Sequence, residues 1–466
     1  MGRGVFGALE RDLHGQLITP GDPDYEAARQ VFNGMIDRHP AAIARCQDVH
    51  DVMASVREGV AAGLPIAVRA GGHNAGGLGV VDDGLVVDLR GLDRIHVDAE
   101  ARIVRVEAGC TWAEVDAATH PFGLAVPCGI IGTTGVSGLT LGGGTGYLTR
   151  RYGLTIDNLR AAEVVLADGQ HIHASDEAHP DLFWALRGGG GNFGAVTSFE
   201  FDLHPVDQIL GGPTFWPIER TAEVLAWYRD FIVEAPEDLY GFFATLTVPP
   251  VDAFPAELHH QKVCGVVWCW TGPASRAQEI FAPVLALKPL LHGVQEMPLP
   301  VLNTMFDALY PPGLEWYWRG DFVQTLPDEA IAQHVAYANA FPTGFSAMHL
   351  YPMDGAAHRV GATETAFSYR EANWNLVIFG VSPDRADRER ITRWTKDYWS
   401  AVHPYSLGGA YVNFLMHDEG SDRVRASYRE NYPRLLEVKR RYDPDNRFHV
   451  NQNIRPSGAE VEQPPA

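Results

Sequence analysis

The chain has 466 residues, 46% of them hydrophobic and 20% charged, an ordinary globular balance that excludes a disordered or fibrous protein. Its 58 acidic side chains against 37 basic ones leave a net charge of −21, which repels phosphate backbones and anionic lipid heads. Neither nucleic acid nor a membrane is therefore expected as a partner.

At roughly 150 residues per domain the length predicts two or three domains. The five cysteines are too sparse for a disulfide scaffold. Arg3, Glu10, Arg11 and Asp12 interrupt any apolar leader, and Phe6 breaks the myristoylation pattern, so a cytoplasmic location is expected.

Helical periodicity predicts helices over residues 24–37 and 49–62. A short strand over 64–69 runs into the first glycine cluster, and a strand over 85–89 follows it. Residues 94–97 and 103–106 read as a hairpin, 112–119 as a short helix, and 162–166 with 171–173 as a second hairpin. Beyond residue 206 the texture changes, with nine of the eleven tryptophans lying between 206 and 415. Alternating segments at 262–270 and 365–381, separated by helical stretches such as 219–234 and 385–399, predict an α+β domain on a mainly antiparallel sheet. Cys264 and Cys269, at an odd offset on one strand, belong on opposite faces. A last helix is expected over 428–441, stopped by Pro444, with a loose acidic tail from Gly458.

The glycines are the strongest local signal. Windows 71–79, 129–146 and 188–194 hold 18 of the 48 glycines in 34 residues. Between Ala117 and Thr149 there is no Lys, Arg, Asp or Glu at all. Such a run suits bare backbone packed on a large, buried, partly polar ligand; a glycine-rich turn system without a ligand is the alternative. The first window leads from strand to strand, not from strand to helix, so it is not a Rossmann dinucleotide site. A loop of successive N–H groups still suits a pyrophosphate.

Arg69-Ala70-Gly71-Gly72-His73-Asn74 resembles the flavin-attachment loop of the vanillyl-alcohol oxidase / p-cresol methylhydroxylase superfamily of FAD enzymes. The stretch from Pro127-Cys128-Gly129 to Gly146 is similar to the second loop of its berberine bridge enzyme-like branch, and residues 186–197 resemble the third. Gly408 to Phe414 and Tyr442 to Asn453 resemble the C-terminal segment of that branch. The motifs stand in the family's order over nearly the whole chain.

The resemblance implies an α+β fold: a two-part FAD-binding domain (residues 1–205 and 415–466) with an inserted antiparallel-sheet substrate domain (206–414). It implies FAD bound covalently through His73, and through Cys128 as a second anchor. Without the resemblance, His73 is a loop histidine and Cys128 a small buried hydrophobe. The implied cofactor contacts are Arg69, Ala70, Gly71, Gly72, Asn74 and Gly76 in the first loop, and Gly132, Thr133, Gly135, Val136, Ser137, Gly138, Gly142, Gly143 and Gly144 in the second. Gly194, Val196 and Asn451 complete them. Tyr411 and Asn413 are the implied catalytic residues. If their segment is a strand they share one face, and Tyr411 as a base needs a neighbouring cation or hydrogen bonds to lower a phenol pKa near 10. Phe414 stands where many relatives carry a second Tyr.

Tyr369 and Asn375 are candidate substrate-pocket residues. His259, His260 and the run Glu315 to Trp318 are read as entrance or solvated-loop residues, and no metal site is expected. The expected activity is an oxidase: hydride passes from an alcohol carbon of a sugar or natural-product intermediate to flavin, and O2 reoxidises the flavin to give H2O2. The alternatives are an amine oxidase of the 6-hydroxynicotine oxidase type, a dehydrogenase with another acceptor, and a non-catalytic flavin carrier.

Overall fold

The structure, a computed structural model, describes residues 6–456. The tail from Gly458 lies outside them. Three sheets and a two-stranded ladder of His204–Pro205 with Leu124–Ala125 organise the described residues. Strands Gln16–Ile18, Ala42–Arg45, Leu85–Asp88 and Ile66–Arg69 form a small sheet in that spatial order, the last three parallel. Strands Ile95–Asp98, Ile103–Glu107, Ala195–Asp202, Leu159–Val165 and His171–Ser175 form an antiparallel sheet of five. Both predicted hairpins lie in it. The helix Val49–Ala61 is capped by Asp48, whose carboxylate accepts the Asp51 N–H, and it buries Val52 and Val56 in a core shared by both sheets.

An eight-stranded antiparallel sheet holds most of the second half of the chain. Its spatial order is Leu291–His292, Gln208–Pro217, Lys262–Trp270, Leu239–Thr247, Ala347–Pro352, Trp374–Ser382 and Glu315–Val323, with Gln295–Pro298 also paired to Gln208–Pro217. Alternation assigns its faces. Cys264, Val266, Trp268 and Trp270 pack with the helices Thr221–Glu234 and Arg388–Val402. Val267 and Cys269 point to the other face, among Phe242, Tyr351, Val377 and Phe379. The two cysteines are thus on opposite faces, and all five cysteines are free.

Four local readings need correction. Residues 24–37 are helical only over Tyr25–Arg29. Beyond it, Asn33 is completely buried and its amide donates to Ala75 O (2.7 Å) and Trp316 O (3.0 Å) while accepting from Trp316 N (3.0 Å). That side chain competes with helical pairing and ties the first glycine loop to the large sheet. Residues 365–373 are an irregular segment, and the strand begins at Trp374. The final helix is broken: Gly420–Tyr428 ends at Arg429, whose φ of 44° is left-handed, and Tyr432–Tyr442 resumes after a 3-10 turn. Finally, Val412–Phe414 is a 3-10 turn rather than part of a strand.

Buried ion pairs connect the glycine loops to the large sheet and its connections. Arg150, on the helix Thr149–Tyr152 that follows the second loop, binds both oxygens of Asp354 (2.7 and 3.0 Å) and donates to the carbonyls of Ala235, Pro236 and Leu239. Arg370 grips Asp157 in the same bidentate way (2.7 and 2.8 Å). Breaking one partner of such a pair strands the other without water. Arg150→Met is expected to lower unfolding stability by about 3–5 kcal/mol, measured by urea denaturation.

Candidate functional site

The three glycine windows converge on one cavity of about 360 Å³. The first two meet backbone to backbone: a Cβ added to Gly71 would lie 2.5 Å from Gly135 N, and one on Gly135 would lie 2.5 Å from Gly71 N. Any side chain at either position would force the loops apart. Arg69, Ala70, Gly71, Gly72, His73 and Asn74 line the cavity from the first loop. Gly135, Ser137 and Gly138 line it from the second, Gly194 and Val196 from the third segment, and Asn451 from the C-terminal one.

The other expected contacts stand one layer behind. Val136 is fully buried in the core. Gly76 abuts Asn74 and the His417 backbone, and Gly132 donates its N–H to Asp307 (2.9 Å). Thr133 offers backbone to the His73 ring. A Cβ on Gly142 would strike the Asn413 amide at 2.4 Å, and one on Gly143 would meet the Phe367 ring at 2.8 Å. Gly144 has φ +81° and lies against Thr155, which only glycine tolerates without strain.

His73 stacks on Phe32, with centroids 4.1 Å apart. Burial pushes its pKa down to about 4, partly opposed by the hydrogen bond to the Thr133 backbone, so the imidazole is neutral at physiological pH. Cys128 is buried beside the cavity. Gly129 and Ile130 line the cavity but Cys128 does not; its Sγ accepts from Asn303 Nδ2 at 3.4 Å. Burial, with the nearby Asp116, pushes the thiol far above its ordinary range, so it is not a thiolate.

Tyr411 and Asn413 both line the cavity. The Tyr411 oxygen accepts from Gly144 N (2.8 Å) and Asn413 Nδ2 (2.8 Å), and its hydroxyl lies 3.4 Å from Leu139 O. Asn413 also donates to Gly138 O (3.0 Å). Burial raises the phenol to about 12, and these two donors only partly offset it. The neighbouring cation that a neutral-pH tyrosinate needs is not among its partners. Phe414 meets the Tyr411 ring edge-on at 5.1 Å.

Tyr369 and Asn375 do not line the cavity. Tyr369 stacks on Phe322 (4.5 Å), lies under the Arg429 guanidinium, and donates to Ala426 O (2.8 Å); its role is structural. Asn375 is fully buried, opposite Tyr351 across the sheet, and both its amide atoms lack a partner among the described residues. Trp316 and Trp318 line the cavity, whereas His259 and His260 do not, and His259 bonds to loop carbonyls instead.

Two groups escaped sequence reading. His349 and Tyr351 face the cavity from Ala347–Pro352, with His349 Nδ1 and the Tyr351 hydroxyl 2.7 Å apart. Two polar rings two residues apart in a buried strand were the available signal. Asp116 lies behind the second loop, held by Asn303 Nδ2 at 2.6 Å, and its partners sit 187 residues away in sequence.

The lining suits FAD. Gly138 faces the cavity with nothing within 4 Å of where a Cβ would stand, a cradle open to a planar ligand. Arg69 Nε, Tyr428 Oη and Asn451 Oδ1 belong to lining residues and lack partners among the described residues. The Arg69 head otherwise donates to Asp88 (2.7 Å), which also binds Arg90, and to Gln30 O (3.4 Å).

Comparison with known proteins agrees. Residues 40–175 match the family model of an FAD binding domain, and 410–455 match the model described as berberine and berberine like. The chain is 31% identical to the FAD-linked oxidoreductase YgaK of Bacillus subtilis, over 95% of this chain and 97% of that one. It is 29% identical to (R)-6-hydroxynicotine oxidase of Paenarthrobacter nicotinovorans, over 97% and 99%. The crystal structure of 6-hydroxy-D-nicotine oxidase from Arthrobacter nicotinovorans superposes with a TM-score of 0.85 at 27% identity, covering 96% of this chain and 98% of that one. A xylooligosaccharide oxidase from Myceliophthora thermophila shares the fold, with a TM-score of 0.83 at 23% identity, covering 98% and 100%. Among the described residues no helix is long and apolar enough to cross a membrane.

Asp116 generates a prediction of its own. Burial raises its carboxyl to about 7, above the unfolded value of about 3.9. Between those values the unfolded chain has already lost the proton that the folded chain keeps, so stability falls as pH rises through the window. Thermal melts from pH 4 to 8 are expected to show that loss, and Asp116→Asn to remove it.

Proposed function

Because the chain belongs to the berberine bridge enzyme-like branch of the FAD-linked oxidoreductases, we propose that it is an oxidase acting on a carbon–oxygen bond of a small ring-bearing alcohol, with O2 as acceptor. The observation that carries this reading is the Tyr411 oxygen, set in the same cavity as His73 and braced by two donors. FAD, when bound, would supply a two-electron acceptor for hydride from the substrate carbon, with O2 as the final acceptor and H2O2 as its product.

The protein's own contributions follow from its geometry. His73, neutral and stacked on Phe32, would hold the flavin as its single covalent anchor. Cys128 is not proposed as a second anchor, since its thiol faces Asn303. The bare edge of Gly138, with nothing where a Cβ would stand, lets a planar ring approach the backbone. Tyr411 receives the hydroxyl proton as the phenolate, which Gly144 N–H and Asn413 Nδ2 stabilise. The sheet 208–382 is the substrate domain, closing the cavity with Trp316, Trp318, Tyr351 and Phe379.

A second reading, oxidation of a ring amine, is favoured by the 29% identical 6-hydroxynicotine oxidase and by the protonated state of Tyr411. Hydride removal beside an uncharged nitrogen needs no base.

Two experiments test these statements. Intact mass of the denatured protein is expected to retain one FAD in the wild type and in Cys128→Ala, and to lose it in His73→Ala. In the alcohol reading kcat/KM rises with pH toward the alkaline range, because the reactive phenolate is scarce below the raised pKa of Tyr411. Asn413→Ala removes a donor to that anion and moves the limb upward by about 1–2 pH units. In the amine reading the limb follows the substrate's own nitrogen and Asn413→Ala leaves it in place.

A further inference from the structure

The half of the cavity facing the large sheet carries a polar pair with no part in holding a flavin. Alternation on Ala347–Pro352 places His349 and Tyr351 on the cavity face, opposite Val377 and Asn375 of the neighbouring strand. Nδ1 of His349 and the Tyr351 hydroxyl are 2.7 Å apart. With the Tyr351 hydroxyl donating to Nδ1, its one partner among the described residues, the imidazole N–H stands at Nε2. Nε2 itself has no partner there and is not among the sealed, unsatisfied atoms, which leaves it open to a ligand.

The surroundings keep this histidine uncharged. Phe242 (4.9 Å), Phe379 (4.8 Å) and Tyr351 (5.5 Å) surround its ring, and Ala244 and Val377 flank it across the strands. Burial alone moves its pKa, down to about 3. No carboxylate or ammonium group is among the residues lining the cavity, and the one charged liner, Arg69, is committed to Asp88. A charged substrate would lose water here and find no counter-ion. A neutral ring finds aromatic walls in Tyr310, Trp316 and Phe379 and a donor at His349.

We infer that His349, oriented by Tyr351, is the specificity-determining donor of the substrate site, and that it selects an uncharged ring bearing a hydroxyl or carbonyl oxygen over cationic or anionic analogues. The inference rests on the oxidase reading and names its substrate class. Tyr351 is a positioning residue: it acts by fixing the imidazole tautomer.

The test uses the anaerobic holoenzyme and three probes of one shape: benzyl alcohol, benzylamine as its cation, and benzoate, all at pH 7. Binding is read by flavin absorbance and tryptophan fluorescence. Benzyl alcohol is expected to bind at least about tenfold more tightly than either ion, and His349→Phe to weaken it by about tenfold, the scale of one lost hydrogen bond. His349→Gln, which keeps an N–H donor, is expected to recover part of that loss; unchanged flavin content and melting temperature identify folded variants. The inference falls if a charged probe binds as tightly as benzyl alcohol, or if the folded His349→Phe protein binds all three as the wild type does. Admitting air separates the two readings: selective binding without peroxide sinks the alcohol oxidase and leaves the selectivity, whereas peroxide with indiscriminate binding does the reverse.

Discussion

The close approach of Gly71 to Gly135 is the constraint on which the site depends. Two loops about sixty residues apart in sequence meet with 2.5 Å between a would-be Cβ and a backbone nitrogen. Only hydrogen fits there. The contact sets the first loop, with His73, against the second, with Ser137 and Gly138, so that both face one cavity. The charge-free stretch from Ala117 to Thr149 supplies both core residues, such as Leu124, Val126 and Val136, and cavity liners, such as Gly135 and Gly138.

Within this frame the polar groups follow one rule: burial without counter-ions holds them neutral. His73 and His349 are pushed down, and Tyr411 and the Cys128 thiol are pushed up, with desolvation the largest cause in each case. Hydrogen bonds oppose that trend in part: Thr133 at His73, Asn303 at Cys128, and both Gly144 and Asn413 at the Tyr411 oxygen. The arrangement gathers two donors on the Tyr411 oxygen, while the one charged lining residue, Arg69, is paired with Asp88. The charged pairs Arg150–Asp354 and Arg370–Asp157 stand outside it, as clamps.

Much of this was legible in the residues. The glycine windows, the strand–loop–strand context of Gly71 to Gly79 and the hairpins came from spacing and turn chemistry. The helix over Trp112–Thr119 did as well. What was missed turned on long-range partners. The helix expected over 24–37 ends at Arg29, and beyond it Asn33 binds Trp316, 283 residues away. Tyr369 is tied to Ala426, not to a substrate. The Cys128 thiol likewise has its side-chain partner in Asn303, 175 positions further on.

The sequence by itself determined where backbone must be bare, which strands alternate, and which histidine follows a strand into a glycine loop, because these are properties of neighbours along the chain. Tertiary structure decided which side chains enter the cavity. It set the charge states of Tyr411, His349 and Asp116, and it selected His349 and Tyr351 as the polar face opposite the loops. The reason is physical: burial and partner choice depend on distances through space, and residues hundreds of positions apart supply both the desolvation and the hydrogen bonds.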